Sequence, residues 1–149
     1  TIDLYYMLVQ LSDELSPVLA PRGNTVTLHL DENLTIEADP EKLARVFNNI
    51  LKNAASYSFP HTEILIFAEK LEHEVIIRFQ NSGEDIPNEA LASLFNKFYR
   101  VDQSRSSDTG GTGLGLAIAK EIVTLHGGAI SASSKNHVVT FTVSLPLSN

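Results

Sequence analysis

Four glycines fall within six positions of Asp108-Thr109-Gly110-Gly111-Thr112-Gly113-Leu114-Gly115, and the helical pattern Leu116-Ala117-Ile118-Ala119-Lys120 follows directly. Glycine lets the backbone turn sharply and lets another group approach without a Cβ in the way. A helix N-terminus presents unpaired N–H groups and a partial positive charge. Together these make a site for a phosphate chain. Taken alone, the same residues fit a glycine-rich hinge before an ordinary helix equally well.

A second run offers complementary chemistry. Asn49, Asn53 and Ser56 form a polar stripe at i, i+4 and i+7 on a helix spanning Asp39 to Ser58. Asparagine is a mediocre helix former, yet Asn48, Asn49 and Asn53 all sit inside. A carboxamide oxygen is a neutral, hard ligand suited to Mg²⁺, which takes waters and substrate phosphates for its remaining positions. A solvated face accounts well for Lys42 and Arg45, and less well for Asn49 and Asn53 at the apolar edge. Asn81-Ser82-Gly83-Glu84-Asp85-Ile86-Pro87 is a strand-end turn where a polar side chain can meet a base edge, although from these residues alone a simple turn is the better reading. Lys97-Phe98-Tyr99-Arg100 mixes aromatics with cations, and the apolar-free run Asp102–Gly111 has the length of a lid. Arg100 and Arg105 flank that run as candidate phosphate contacts.

The elements that must position these groups follow from periodicity. Leu4, Leu8, Leu11 and Leu15 give a helix that Ser16-Pro17 should end or bend. Thr25–Leu30 is a strand, with Leu34–Ala38 a short second one across Asp31-Glu32-Asn33. Asp39 is a natural N-cap with Pro40 at the first helical position. Leu43, Val46, Phe47, Ile50, Leu51 and Ala54 then form one apolar face. Glu63–Glu69 and His73–Gln80 pair as strands, the first expected to be covered on both faces. Asn88–Asn96 is a short helix, and Leu114–His126 a well-buried one stopped at Gly127. Ala129–Ser133 and Val138–Leu145 close the chain as a hairpin. His29 and His126 are expected to be structural.

Composition sets the bounds. The 149 residues suffice for one domain with a real core, and the 43% hydrophobic and 19% charged content is that of a soluble globular protein. With 18 acidic and 11 basic residues the formal net charge is −7, which argues against a general nucleic-acid or membrane-surface binder. Any polyphosphate must be held locally. Cysteine is absent, so there is no disulfide framework or thiolate metal site. No apolar run reaches membrane-spanning length, and a start at Thr1 suits an excised fragment.

Two common phosphate fingerprints fail. There is no Gly-Lys-Ser/Thr tripeptide, and the glycines follow a polar loop instead of a strand. What remains is an ordered set: asparagine helix, strand-end turn, aromatic-basic segment, polar loop, glycine helix. That order resembles the ATP-binding catalytic domain of sensor histidine kinases, in the wider family shared with Hsp90, gyrase B and MutL. Asn49-Ile50-Leu51-Lys52-Asn53-Ala54 resembles the N box and Asn81–Pro87 stands at the G1 box. Leu94–Arg100 resembles the F box and Gly111–Ile118 the G2 box, with Ile122–Gly128 the usual sequel. Further wording resembles sensor kinases of vancomycin-resistance two-component systems.

The resemblance covers essentially the whole of residues 1–149. It implies a single α/β domain, a two-layer sandwich whose mixed, mostly antiparallel sheet is covered on one face by about three helices, with a mobile ATP lid. It implies that Asn53 ligates Mg²⁺ and Asn49 supports the phosphates of ATP. Tyr57 would line the nucleotide pocket, Tyr99 and Arg100 would meet ribose and phosphates, and Lys97 would add a cation. Gly111, Thr112, Gly113, Leu114 and Gly115 would wrap the triphosphate, and Asn81, Gly83, Ile86, Phe98 and Leu116 complete the set. The phosphoacceptor histidine would lie on a dimerisation domain N-terminal of Thr1, since none of the five histidines has the acceptor motif. The implied partners are that domain and a response regulator's receiver domain. The implied setting is the cytoplasmic side of a plasma-membrane sensor that is a homodimer at full length, with this fragment monomeric and no nucleic acid involved.

Two departures stand out. The family's G1 aspartate is Asn81 here, and Asp85 replaces its second glycine; Ser56 replaces a frequent lysine. A neutral hydrogen bond for a charged one costs roughly tenfold in affinity, so weaker ATP binding and relaxed base choice are expected. The other possibilities are a degenerate regulatory module of the same fold, or a serine-directed relative.

Overall fold

The computed structural model describes residues 1–97 and 114–147. Five strands form one sheet, in the order β2 (Thr25–His29), β4 (Glu63–Lys70), β5 (Glu74–Ser82), β7 (Val138–Pro146) and β6 (Ala129–Lys135). Of these, β2 and β4 run parallel, joined by a crossover through helix α2 (Pro40–Tyr57). The other neighbours are antiparallel. A separate two-stranded ribbon pairs β1 (Ile2–Asp3) with β3 (Thr35–Ile36). The helices α1 (Leu4–Leu19), α2 and α4 (Gly115–Leu125) supply buried residues to the same core as the sheet, and α3 (Asn88–Ser93) is a short turn of helix beyond β5.

The sheet buries one face. On β5, Val75, Ile77, Phe79 and Asn81 are buried while Ile76, Arg78, Gln80 and Ser82 are half-exposed; β7 alternates in step. Period-two alternation puts the first set under the helices. Phe47 of α2 meets Phe79 with ring centroids 5.6 Å apart, and Phe95 meets Phe141 edge-on at 6.2 Å.

Helix α2 begins as its sequence dictates. The Asp39 carboxylate accepts from the Lys42 N–H at 3.2 Å, and Pro40 occupies the first turn. Helix α4 ends where glycine permits a left-handed residue: Gly127 has φ +78°, and the Gly128 N–H reaches the Val123 carbonyl at 2.9 Å. His126 closes this end structurally, its Nδ1 lying 2.9 Å from the Ile122 carbonyl and its Nε2 accepting from the Asp39 N–H at 3.4 Å.

Four expectations need correction. Helix α1 does not stop at Ser16-Pro17 but carries Pro17 inside and runs to Leu19. Proline there removes one N–H on an exposed turn, while Leu15 and Leu19, a turn apart, are both buried. The short strand after Asn33 is only Thr35–Ile36 and pairs with β1, leaving β2 to pair with β4. Strand β4 is covered on one face only: Ile64 and Ile66 are buried, whereas Leu65 and Phe67 are half-exposed. His29 stacks on Phe67 on the open face, with ring centroids 5.0 Å apart. Strand β5 also runs on through Asn81 and Ser82, which pair with Val139 and Val138. The expected lid falls on residues outside those described.

Phe47 is fully buried between sheet and helix. Phe47→Ala is expected to cost about 3–5 kcal/mol of unfolding free energy, read from urea denaturation followed by circular dichroism.

Candidate functional site

The site is built on α2. Asn49, Asn53 and Tyr57 succeed one another at four-residue spacing, a stripe roughly 12 Å long at 1.5 Å per residue. Beside the apolar face, Asn53 and Tyr57 of this stripe border a cavity of about 180 Å³. Its described lining includes Asn53 and Tyr57 from α2, Asn81 and Ile86 from the end of β5 and its turn, and Val139 from β7. Four residues singled out from sequence therefore share one cavity: Asn53, Tyr57, Asn81 and Ile86.

The amide of Asn49 is turned towards α4, donating from Nδ2 to the Gly115 carbonyl at 3.0 Å. This bond ties the asparagine helix to the first residue of the glycine helix. The partial positive charge of that helix start is thus held beside the asparagine stripe. Leu114 precedes the helix without a side-chain cap, and Leu116 packs against the core. Lys97 is exposed. Phe98, Tyr99, Arg100, Gly111, Thr112 and Gly113 lie outside the described residues.

Gly83 lies against the backbone of Tyr57, one of the cavity residues. A Cβ there would lie 2.4 Å from the Tyr57 carbonyl oxygen, so only glycine lets the end of β5 pass the end of α2 so closely. The crossing is stitched by Phe59 N–H to the Ser82 carbonyl at 2.8 Å and Gly83 N–H to the His137 carbonyl at 3.0 Å.

Sequence reasoning missed Arg22. Its guanidinium donates to the Ala55 carbonyl at 2.9 Å and the Ser58 carbonyl at 2.7 Å. The last turn of α2 carries no basic residue of its own, so Arg22 satisfies its orphan carbonyls and opposes the negative end of its dipole. The neighbouring Asn24 side chain donates from Nδ2 to the Phe59 and Thr62 carbonyls at 2.9 and 3.1 Å. Residues 22–24 thus clamp the Tyr57–Pro60 wall of the cavity. Nothing local signals this, because the partners lie more than thirty positions away.

Asp85 also has a defined place. Its carboxylate accepts from the His137 N–H at 2.7 Å, and the Ile86 N–H donates to Ser134 Oγ at 2.8 Å. Both bonds fasten the Asn81–Pro87 turn to the β6–β7 hairpin. His137 needs the help, since Asn136 and His137 both have positive φ. Ser56, standing in for a lysine, donates to the Lys52 carbonyl of its own helix at 2.9 Å.

A helix of amides facing a helix start, across one end of a half-covered sheet, defines a class. The chain belongs to the histidine kinase-, DNA gyrase B- and HSP90-like ATPase family, whose model matches residues 38–149. Within that family it is of the histidine-kinase catalytic type. It is 57% identical over 145 residues to the sensor protein VanS of Enterococcus faecium, covering 97% of this chain and 38% of that protein. It is 46% identical over 147 residues to the sensor protein VanSC of Enterococcus gallinarum, covering 98% and 40%. The catalytic domain of histidine kinase ThkA superposes with a TM-score of 0.87 at 25% identity, covering 98% of this chain and 93% of that one. The chain spans well under half the length of the two sensor proteins.

Two substitutions probe the cavity's frame. Gly83→Ala is expected to push Tyr57 aside and destabilise by about 1–3 kcal/mol, visible as a lower urea midpoint. Arg22→Ala removes two charge-assisted bonds and is expected to cost about 2–3 kcal/mol, with Arg22→Lys recovering only part because lysine lacks the planar fork.

Proposed function

We propose that residues 1–149 act as one domain, the ATP-binding catalytic half of a sensor histidine kinase. It would present the γ-phosphate of ATP to a histidine on an adjoining dimerisation domain. The observation that carries this is the Asn49–Gly115 bond, which sets the start of α4 beside the helix whose Asn53 and Tyr57 line the cavity.

The residues fit a magnesium nucleotide. Among the described residues no group of three His, Asp or Glu side chains could hold a metal unaided. A lone carboxamide such as that of Asn53 suits an ion that arrives with its phosphates and keeps several waters. Bound there, Mg²⁺ would neutralise phosphate charge in a protein whose own net charge is −7. Asn53 would hold the ion and the α4 N-terminus would face the phosphates. Asn81, Ile86 and Tyr57 would enclose the base. Lys97, Phe98, Tyr99, Arg100 and Gly111–Gly113, with Gly83, Leu114, Gly115 and Leu116, complete the proposed ATP site. Phosphoryl transfer asks the protein chiefly for position and electrostatics, which such a site supplies.

Likeness to two enterococcal sensor proteins supports a wider proposal. The chain would be the cytoplasmic part of a homodimeric plasma-membrane sensor that passes phosphate to a response regulator's receiver domain and controls glycopeptide resistance. Among the described residues no helix is long and apolar enough to cross a membrane.

The test is trans-phosphorylation. With Mg²⁺ and labelled ATP, this chain should place acid-labile phosphate on the histidine-bearing helices of its parent; ATP binding without transfer would reject the kinase assignment. Asn53→Ala is expected to weaken ATP binding roughly tenfold, about 1.4 kcal/mol, with Mg²⁺ present and far less in EDTA, measured by titration calorimetry.

A further inference from the structure

Asn81 is 3% exposed and lies on the wall of the cavity, yet its Nδ2 has no hydrogen-bond partner among the described residues. A donor buried without an acceptor is a liability that a native structure rarely keeps without a reason. The other buried polar side chain on this wall, Ser58, is already engaged: its Oγ donates to the Ala54 carbonyl at 2.5 Å. Arg22 directs both its terminal nitrogens to helix carbonyls. Ile86, Leu94 and Val139 give the same cavity apolar side chains against which a flat ring could rest, and Glu84 and Asp85 also line it. The atom awaiting a partner in this cavity is thus an N–H donor, set beside the acceptor oxygen of the same carboxamide.

That pairing decides what the base site can read. A carboxamide carries one donor and one acceptor side by side. So does the Watson–Crick edge of a purine. Adenine offers the N6 amino donor next to the N1 acceptor. A 6-oxopurine offers the O6 acceptor next to the N1–H donor. Half a turn about the Cβ–Cγ–amide torsion, a soft torsion, exchanges the two ends of the carboxamide. A carboxylate in the same place accepts only, and would set a negative oxygen against O6.

On the basis of the ATP site proposed above, we infer that Asn81 makes this domain a purine reader indifferent to the group at position 6. It would take 6-oxopurine nucleoside triphosphates alongside ATP. The strand aims the side chain at the base: Asn81 continues the inward row of Val75, Ile77 and Phe79, and its backbone is paired to Val139. Of the two carboxylates that also line the cavity, Asp85 is tied to the His137 N–H and Glu84 is exposed, whereas Asn81 is buried.

The probe is inosine triphosphate, which differs from ATP only at the 6-position edge. Dissociation constants for the magnesium complexes of ATP and inosine triphosphate are measured by calorimetry on this chain and on Asn81→Asp. Melting curves confirm that both are folded. The expected result is affinities within about threefold of each other for the wild type. The ratio should move at least tenfold towards ATP in Asn81→Asp, a change of about 1.4 kcal/mol. An ATP preference above about thirtyfold in the wild type, or an unchanged ratio in the variant, overturns the inference and leaves the ATP site standing. Failure of both nucleotides to bind removes the ATP site itself and the inference with it.

Discussion

Helix α2 has to bury one side and present Asn53 and Tyr57 to the cavity on the other, and it is held at three points. Asp39 holds its first turn. Asn49 fastens its middle to the start of α4. Arg22, from outside the helix, holds its last carbonyls. Hydrophobic burial under Phe47, Ile50 and Leu51 fixes the helix against the sheet but is non-directional. The Asn49 and Arg22 bonds are directional, fixing the middle of the helix against α4 and the position of the end that carries Tyr57.

The electrostatics run along the same axis. The carboxyl end of α2, where Tyr57 and Asn81 close the cavity, would be negative without Arg22. The amino end of α4 beside Asn49 is positive. A nucleotide laid along the stripe would have its neutral base at the neutralised end and its charged tail towards the helix start. The protein needs no large basic patch for this, which reconciles a polyphosphate ligand with a net charge of −7.

Local signals are legible in this sequence and long-range ones are not. Asp39, Pro40 and the apolar spacing announce α2 from within a dozen residues, and the Gly127 stop of α4 is equally local. Four of the cavity residues are visible because their motif order resembles a known family. The partner of β3 is hidden because a two-residue strand takes its pairing from whatever the fold brings near. Pro17 misleads because proline alone suggests a helix break, and the burial of Leu19 outweighs it. Arg22 carries no local mark. Asp85 looks like a lost glycine, whereas its carboxylate restrains a hairpin tip in positive φ.

The parallel crossover has one more consequence. The family pattern spans residues 38–149, but β2, which zips along β4, and α1, which supplies Leu4, Leu8, Leu15 and Leu19 to the core, both lie before it. A piece cut at the pattern's border would bare a row of unpaired main-chain groups on β4 and an oily flank of α2, the kind of edge on which chains stack into aggregates. Arg22 and its hold on the cavity wall would go with it. The length that a motif recognises and the length that covers this sheet edge and core are therefore different quantities in this molecule.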